Sequence, residues 1–100
     1  MRRVAKVDDN HAEIVRALRD IGCSVLSLAA VGKGSPDLLV GASIGVSGRR
    51  VNFLLEIKDG AKPPSARKLT ADEAQFHASW RGHLAIVESV DDALRVVMAR

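Results

Sequence analysis

The chain has few aromatic residues and almost no cysteine. Aromatic side chains make up 3% of its 100 residues, and tyrosine is absent. This scarcity argues against a nucleic-acid surface built on stacked bases, because such a surface needs several exposed rings. The single cysteine, Cys23, excludes an intramolecular disulfide framework and a zinc site made of cysteines alone.

Long apolar runs are also missing. No run approaches the roughly 18 residues of a membrane span, and the N-terminus lacks the apolar core of a signal peptide. We therefore expect a soluble, cytoplasmic protein that does not bind a membrane. Hydrophobic residues make up 47% of the sequence and the formal net charge is +3, which fits one mildly basic globular domain over residues 1–100. Residues 1–8 are predicted to form a basic arm or a frayed helix start.

The spacing of apolar residues predicts three helices and four strands. In the first helix, for example, Ile14, Leu18 and Ile21 recur at steps of three and four residues. The Pro63-Pro64 pair is expected to bar regular structure in the loop around it. In chain order the predicted elements are a helix from about Asp9 to Gly22, strands at Ser24–Ala29, Asp37–Gly41 and Arg50–Lys58, a helix from Thr70 to about Trp80, a strand at Leu84–Val87, and a helix that Ser89 or Asp91 can cap. The continuous apolar run of the last strand, Leu84–Val87, predicts that this strand is buried.

This order predicts an α/β fold with a mixed sheet. Three consecutive strands with short turns favour an antiparallel meander. The helix before the last strand can return the chain for parallel pairing. We therefore expect a mixed four-stranded sheet flanked by helices. The spacing of Thr70 and Glu73 also predicts a capping box at the start of the second helix.

Charged residues stand at the ends of two otherwise apolar strands. Asp37 opens the second predicted strand, and Glu56 and Lys58 close the third. If these strands are antiparallel neighbours, Asp37 and Glu56 meet at one edge of the sheet. Two converging carboxylates suit Mg²⁺ or Mn²⁺, and a lysine beside them can stabilise charge on an attacking water or a phosphorane. The alternative is a solvated strand end, with Lys58 paired to Glu56 or Asp59.

The segments Gly34–Leu38 and Phe53–Lys58 resemble the motif of the PD-(D/E)XK nuclease superfamily. More narrowly, they are similar to the small VRR-NUC-type nucleases of viruses and of repair enzymes, some of which act like Holliday junction resolvases. The resemblance extends over about residues 9–94. It implies a restriction-endonuclease-like αβββαβ core, which agrees with the predicted order of elements.

The resemblance also implies roles for individual residues. Asp37, Glu56 and the carbonyl of Ile57 would bind the Mg²⁺ or Mn²⁺ ion. Lys58 would orient the water or stabilise the transition state. An acidic residue on the first helix belongs to the family's site, and Glu13 matches it by position.

Other residues are weaker candidates for this site. Relatives place a glutamine near the start of the helix after the motif, and Gln75 and Glu73 compete for that position. His11, His77 and His83 lie on three different segments without the spacing of metal ligands. The sequence therefore predicts that the histidines take no part in the site.

The resemblance implies a metal-dependent endonuclease that hydrolyses DNA phosphodiester bonds. Stand-alone members of the family tend to be homodimers, and some resolve branched DNA in repair or recombination. We therefore expect a homodimer that acts on branched or duplex DNA in the cytoplasm of a bacterium or of a viral host. The alternatives are a non-catalytic nucleic-acid-binding module on the same fold and a flap or single-strand nuclease.

The distribution of charge favours contacts with nucleic acid. Residues 43–70 contain six basic and two acidic residues, a net charge of +4. Beside a phosphodiesterase site, such residues are expected to contact backbone phosphates and to read the shape of DNA rather than its sequence. The candidate contact residues are Lys33, Ser35, Arg49, Arg50, Lys62, Arg67 and Lys68.

Overall fold

The computed structural model describes residues 8–98, which form one four-stranded sheet with helices packed on it. The predicted N-terminal arm lies almost entirely outside these residues. The strands are β1 (Ser24–Ser27), β2 (Leu38–Ile44), β3 (Arg49–Ile57) and β4 (Leu84–Val87). The helices are α1 (His11–Asp20), a 3₁₀ helix (Pro64–Arg67), α2 (Ala71–Ser79) and α3 (Val90–Met98).

The sheet has the order β1-β2-β3-β4. The first three strands pair antiparallel, and β3 pairs with β4 in parallel. The predicted mixed sheet and the predicted order of helices and strands are therefore confirmed. None of the described helices is long and apolar enough to span a membrane.

One face of the sheet carries the hydrophobic core. Two helices cover this face, and each presents an apolar stripe with helical spacing to the strands. Ile21, expected to extend the stripe of α1, instead follows the helix as its C-cap and is 47% exposed. The buried core residues are Ile14 and Leu18 of α1, Ala93 and Val97 of α3, and Leu38, Val40, Phe53, Leu55, Ile57 and Val87 of the sheet.

The opposite face of the sheet is covered mainly at one end. There α2 lies over the end of β3, while Leu26 remains 58% exposed and Ile86 45% exposed. The expectation that β4 is a fully buried strand was therefore wrong at Ile86. The reason is that β4 is an edge strand whose second face has little cover.

The length of β2 and the loop after β3 also differ from the prediction. Pairing with Arg49 and Arg50 extends β2 to Ile44, beyond the predicted end at Gly41. A 3₁₀ helix begins at Pro64, in the loop where no regular structure was expected. Proline is compatible with the first turn of a helix because that position needs no backbone donor.

The first turn of α2 is fixed by the predicted capping box. The Thr70 hydroxyl accepts a hydrogen bond from the Glu73 N–H at 3.2 Å, and Glu73 Oε1 accepts one from the Thr70 N–H at 2.9 Å. No side chain of α2 is fully buried. The position of this helix therefore depends strongly on its polar contacts with the sheet.

Candidate active site

The β2–β3 pairing brings the two predicted carboxyl groups together. Leu38 pairs with Leu55, so the next pair outward is Asp37 with Glu56 on one face of the sheet. Asp37 Oδ2 accepts a hydrogen bond from the Ile57 N–H at 2.6 Å, which extends the ladder beyond the end of β2. The predicted meeting of Asp37 and Glu56 at one sheet edge is confirmed.

Glu56 is only 2% exposed. Burial, followed by the charge of the Asp37 carboxyl and a hydrogen bond with it, raises the pKa of Glu56 to about 9. Without a cation, the folded protein therefore holds a proton on Glu56 at neutral pH. A divalent cation would replace that proton, because it supplies the positive charge that two adjacent carboxylates require.

The donor set fits a hard cation that keeps part of its hydration shell. Among residues 8–98, no group of three or more His, Cys, Asp or Glu side chains is arranged to hold a metal ion. Asp37 and Glu56 supply two carboxylates, and the Ile57 carbonyl is the further ligand that the resemblance implies. Mg²⁺ is commonly bound through one or two carboxylates, with water and substrate phosphate completing its shell.

Lys58 is buried beside the two carboxyls and pairs with Glu73. Its Nζ lies 2.9 Å from Glu73 Oε1, the same oxygen that caps α2. Burial alone would lower the pKa of Lys58, but Glu73 outweighs it and the pKa is raised. The ammonium therefore stays charged. Lys58 therefore pairs with Glu73 on α2, and not with Glu56 or Asp59 as the alternative prediction had it.

Of the two competing residues on α2, the structure brings Glu73 to the site. Gln75 is exposed, and its side chain forms no hydrogen bond within residues 8–98. The partial burial of Glu73 favours a raised pKa, but hydrogen bonds from Lys58 and Thr70 lower it overall. Glu73 is therefore a carboxylate with two roles, as helix cap and as partner of the lysine.

His77 was wrongly separated from the carboxyls in the sequence-based prediction. Its Nε2 lies 3.5 Å from Glu56 Oε1, and its side chain is 15% exposed. Burial lowers the pKa of His77. Glu73 and His77 are four residues apart, about one helical turn, so both lie on the same face of α2. This spacing was the signal in the sequence that could have placed His77 near the site.

An acidic residue before α1 lies near the site, but it is Asp8 rather than Glu13. Burial raises the pKa of Asp8, the charge of Lys58 lowers it and the charge of Asp37 raises it, so Asp8 interacts electrostatically with the site. Glu13 is exposed and lines a separate groove beside Asp59. The role predicted for Glu13 stays a prediction.

The loop between β1 and β2 packs closely against the start of α2. Gly34 has a φ of +78°, and a Cβ there would collide with the carbonyl of Asp72 and lie 2.8 Å from the Glu73 N–H nitrogen. Glycine is needed for both reasons. The loop therefore positions the Glu73 carboxylate relative to Asp37, which follows in the same loop.

The predicted basic residues do not form one continuous patch. Arg49 and Arg50 lie at the start of β3. With about 3.3 Å per strand residue, this end is about 20 Å from Glu56. Arg50 shares the face of Glu56, whereas Arg49 alternates to the other face. Lys33 is exposed in the β1–β2 loop, where Ser35 is half-buried.

The basic residues after β3 are largely paired with acidic ones. Lys62 Nζ lies 3.6 Å from Asp9, and Arg67 contacts both carboxylate oxygens of Glu88 at 3.2 and 3.3 Å. Lys68 is exposed. The net charge of the segment therefore overstates the positive charge that is free to contact phosphate.

No protein-family model matches the chain, and no curated protein or solved structure matches it. Any function must therefore be inferred from the residues and geometry described above.

Proposed function

We propose that this protein is a Mg²⁺- or Mn²⁺-dependent endonuclease that hydrolyses DNA phosphodiester bonds, with a site of the PD-(D/E)XK, VRR-NUC type. The observation that carries the proposal is the contact between Asp37 and Glu56 beside a buried, charged Lys58. Burying this much charge is costly unless a ligand or partner compensates it. Carboxyls with a strongly raised pKa beside a charged partner cluster at functional sites.

Asp37, Glu56 and the Ile57 carbonyl would hold the cation. When bound, the ion would supply the positive charge that activates a water and neutralises phosphate oxygens. Lys58 carries a second positive charge next to this position. Because Glu73 fixes the ammonium, Lys58 can orient the water or stabilise charge on the phosphorane without reorganising during the reaction.

The substrate side of the proposal rests on the open face of the sheet. Arg50 and Glu56 share that face, and the part of it around Arg50 is an open groove lined by Leu26, Leu39 and Asn52. We propose that it contacts the DNA backbone, with selectivity for shape rather than sequence. A homodimer acting on branched DNA is the form that the resemblance favours, since two identical sites related by a two-fold axis would suit paired cleavages on a symmetric junction.

The direct test is cleavage by the purified full chain. Four-way junction, flap, single-stranded and linear duplex DNA would each be incubated with Mg²⁺, Mn²⁺ or EDTA. We expect cation-dependent cleavage, strongest on the junction. Preference for the flap or the single strand would favour the alternative nuclease, and binding of DNA without cleavage under any condition would favour a non-catalytic module.

Two substitutions test the assignment of the site. Asp37→Asn should abolish cleavage, and Lys58→Met should slow it by about 10²–10³-fold through lost electrostatic stabilisation. Asp20→Asn, at an exposed position near the end of α1, is the matched control and should cleave normally. Circular dichroism would show that the variants remain folded. Undiminished cleavage by purified Asp37→Asn would refute the site.

A further inference from the structure

Four polar side chains form two pairs between α2 and the end of β3. Glu56 and Lys58 are two residues apart on one face of the sheet, and Glu73 and His77 are four residues apart on one face of α2. Lys58 faces Glu73 at 2.9 Å, and Glu56 faces His77 at 3.5 Å. The helix therefore presents one side chain to each of the two buried groups on β3.

The two pairs differ in how well they are satisfied. The Lys58–Glu73 pair is a formed hydrogen bond. In the other pair, Glu56 Oε1 and His77 Nε2 are both buried, and neither has a hydrogen-bond partner among residues 8–98. Burying two such atoms face to face is unfavourable unless the pair closes in another state of the site.

We propose that His77 is a positioning residue for the cation site, donating its Nε2–H to Glu56 Oε1 and so fixing the carboxylate that binds the divalent cation. The proposal rests on the proposed function. The present separation exceeds the usual hydrogen-bond range of about 2.7–3.2 Å. Such contacts often tighten only when the ligand is bound.

The surroundings favour a supporting role over direct ligation. No three-ligand cluster occurs among the described residues, so His77 is not arranged as a third side-chain ligand beside Asp37 and Glu56. Hydrogen bonds from residues behind a ligating carboxylate hold it in the orientation that the ion requires. His77 reaches Glu56 from the helix side, while Asp37 contacts Glu56 from the neighbouring strand.

The test measures cation binding directly, without DNA. Isothermal titration calorimetry with Mn²⁺ would compare the wild-type chain with His77→Leu and His77→Gln. Loss of a group that supports a metal ligand typically costs about 10–100-fold in affinity. We expect a loss of this size for His77→Leu, and recovery of most of the affinity in His77→Gln, which keeps an N–H donor. His83→Leu is the control and should bind Mn²⁺ normally, because the His83 ring lies against Phe53, at a centroid distance of 5.3 Å and an angle of 46°.

The outcomes separate this inference from the proposed function. If the wild-type chain binds Mn²⁺ and His77→Leu binds it equally well, the inference alone is wrong. If His77→Gln is as weak as His77→Leu, the ring acts by shape and not as a donor, which also overturns it. If the wild-type chain binds neither Mn²⁺ nor Mg²⁺, both proposals fail. Should His77→Leu not fold, His77→Asn, whose amide is too short to reach Oε1, takes its place.

Discussion

The two faces of β3 are buried in different ways. On one face, Phe53, Leu55 and Ile57 pack against α1 and α3 in a continuous apolar core. On the other, Glu56 and Lys58 are nearly as buried, but α2 covers them through a histidine and a carboxylate. Burial on the first face follows from the hydrophobic effect alone. Burial on the second face is costly unless each charged group has a partner of opposite charge or a bound ligand. Buried charges of this kind therefore point to a function.

The largest expected difference between the faces concerns stability. Leu55→Ala should lower the free energy of unfolding by about 2–5 kcal/mol, because it leaves a cavity in a core that cannot collapse around it. Leu54→Ala, one residue away on the other face, should cost less, since Leu54 is 8% exposed and lies outside the core cluster, whereas Leu55 is fully buried within it. Urea unfolding followed by circular dichroism would measure both. Equal losses would show that the second face is packed as tightly as the first.

The second difference concerns pH. The pKa of Glu56 is raised to about 9 in the folded state, first by burial and then by Asp37. Above the ordinary glutamate pKa, the folded chain therefore binds a proton that the unfolded chain has lost. The free energy of unfolding should fall as pH rises from about 5 to 9, by at most about 1.4 kcal/mol per pH unit for one proton. The side chains that modulate this titration include Asp37, Lys58, Glu73 and the nearby His77.

Glu56→Gln provides the test of this pH dependence. The variant cannot ionise at this position, so its unfolding free energy in EDTA should depend less on pH and should exceed that of the wild-type chain near pH 8. Asp20→Asn, at an exposed carboxyl, should keep the wild-type slope. Thermal or urea unfolding between pH 5 and 9 would measure both. Parallel curves for wild-type and Glu56→Gln would mean that Glu56 ionises normally in the fold.

The first face was predictable because its pattern is local. The alternation along β3 and the helical spacing of Ile14 and Leu18 each require only a few neighbouring residues to recognise. The capping box at Thr70 and Glu73 was also readable, because both partners lie within one turn. Ile86 was misjudged because the exposure of an edge strand depends on what covers the sheet, and no local pattern contains that information.

The second face was only half predictable. Antiparallel pairing was enough to bring Asp37 to Glu56, since the start of β2 lies beside the end of β3. The contact of His77 depends on how α2 lies across the sheet, and the tight approach at Gly34 that helps to set this was not evident from sequence. Likewise, Asp8 lies in a segment with no regular structure. The resemblance places its acidic residue on the first helix, so it pointed to Glu13 instead.

The smallest expected effects would show whether α2 acts as a structural helix or as part of the site. Thr70→Ala removes one capping hydrogen bond and should cost about 1 kcal/mol of stability, with cleavage largely unchanged. Glu73→Gln keeps an oxygen for the Thr70 N–H but removes the charge that holds Lys58. It should therefore slow cleavage more than it destabilises the fold. Single-turnover cleavage and urea unfolding of both variants would separate the two roles. If cleavage falls equally in both variants, the helix cap and the Lys58–Glu73 contact cannot be separated. The buried polar site on the second face of the sheet would then depend on the folding of α2 as much as on the charge of Glu73.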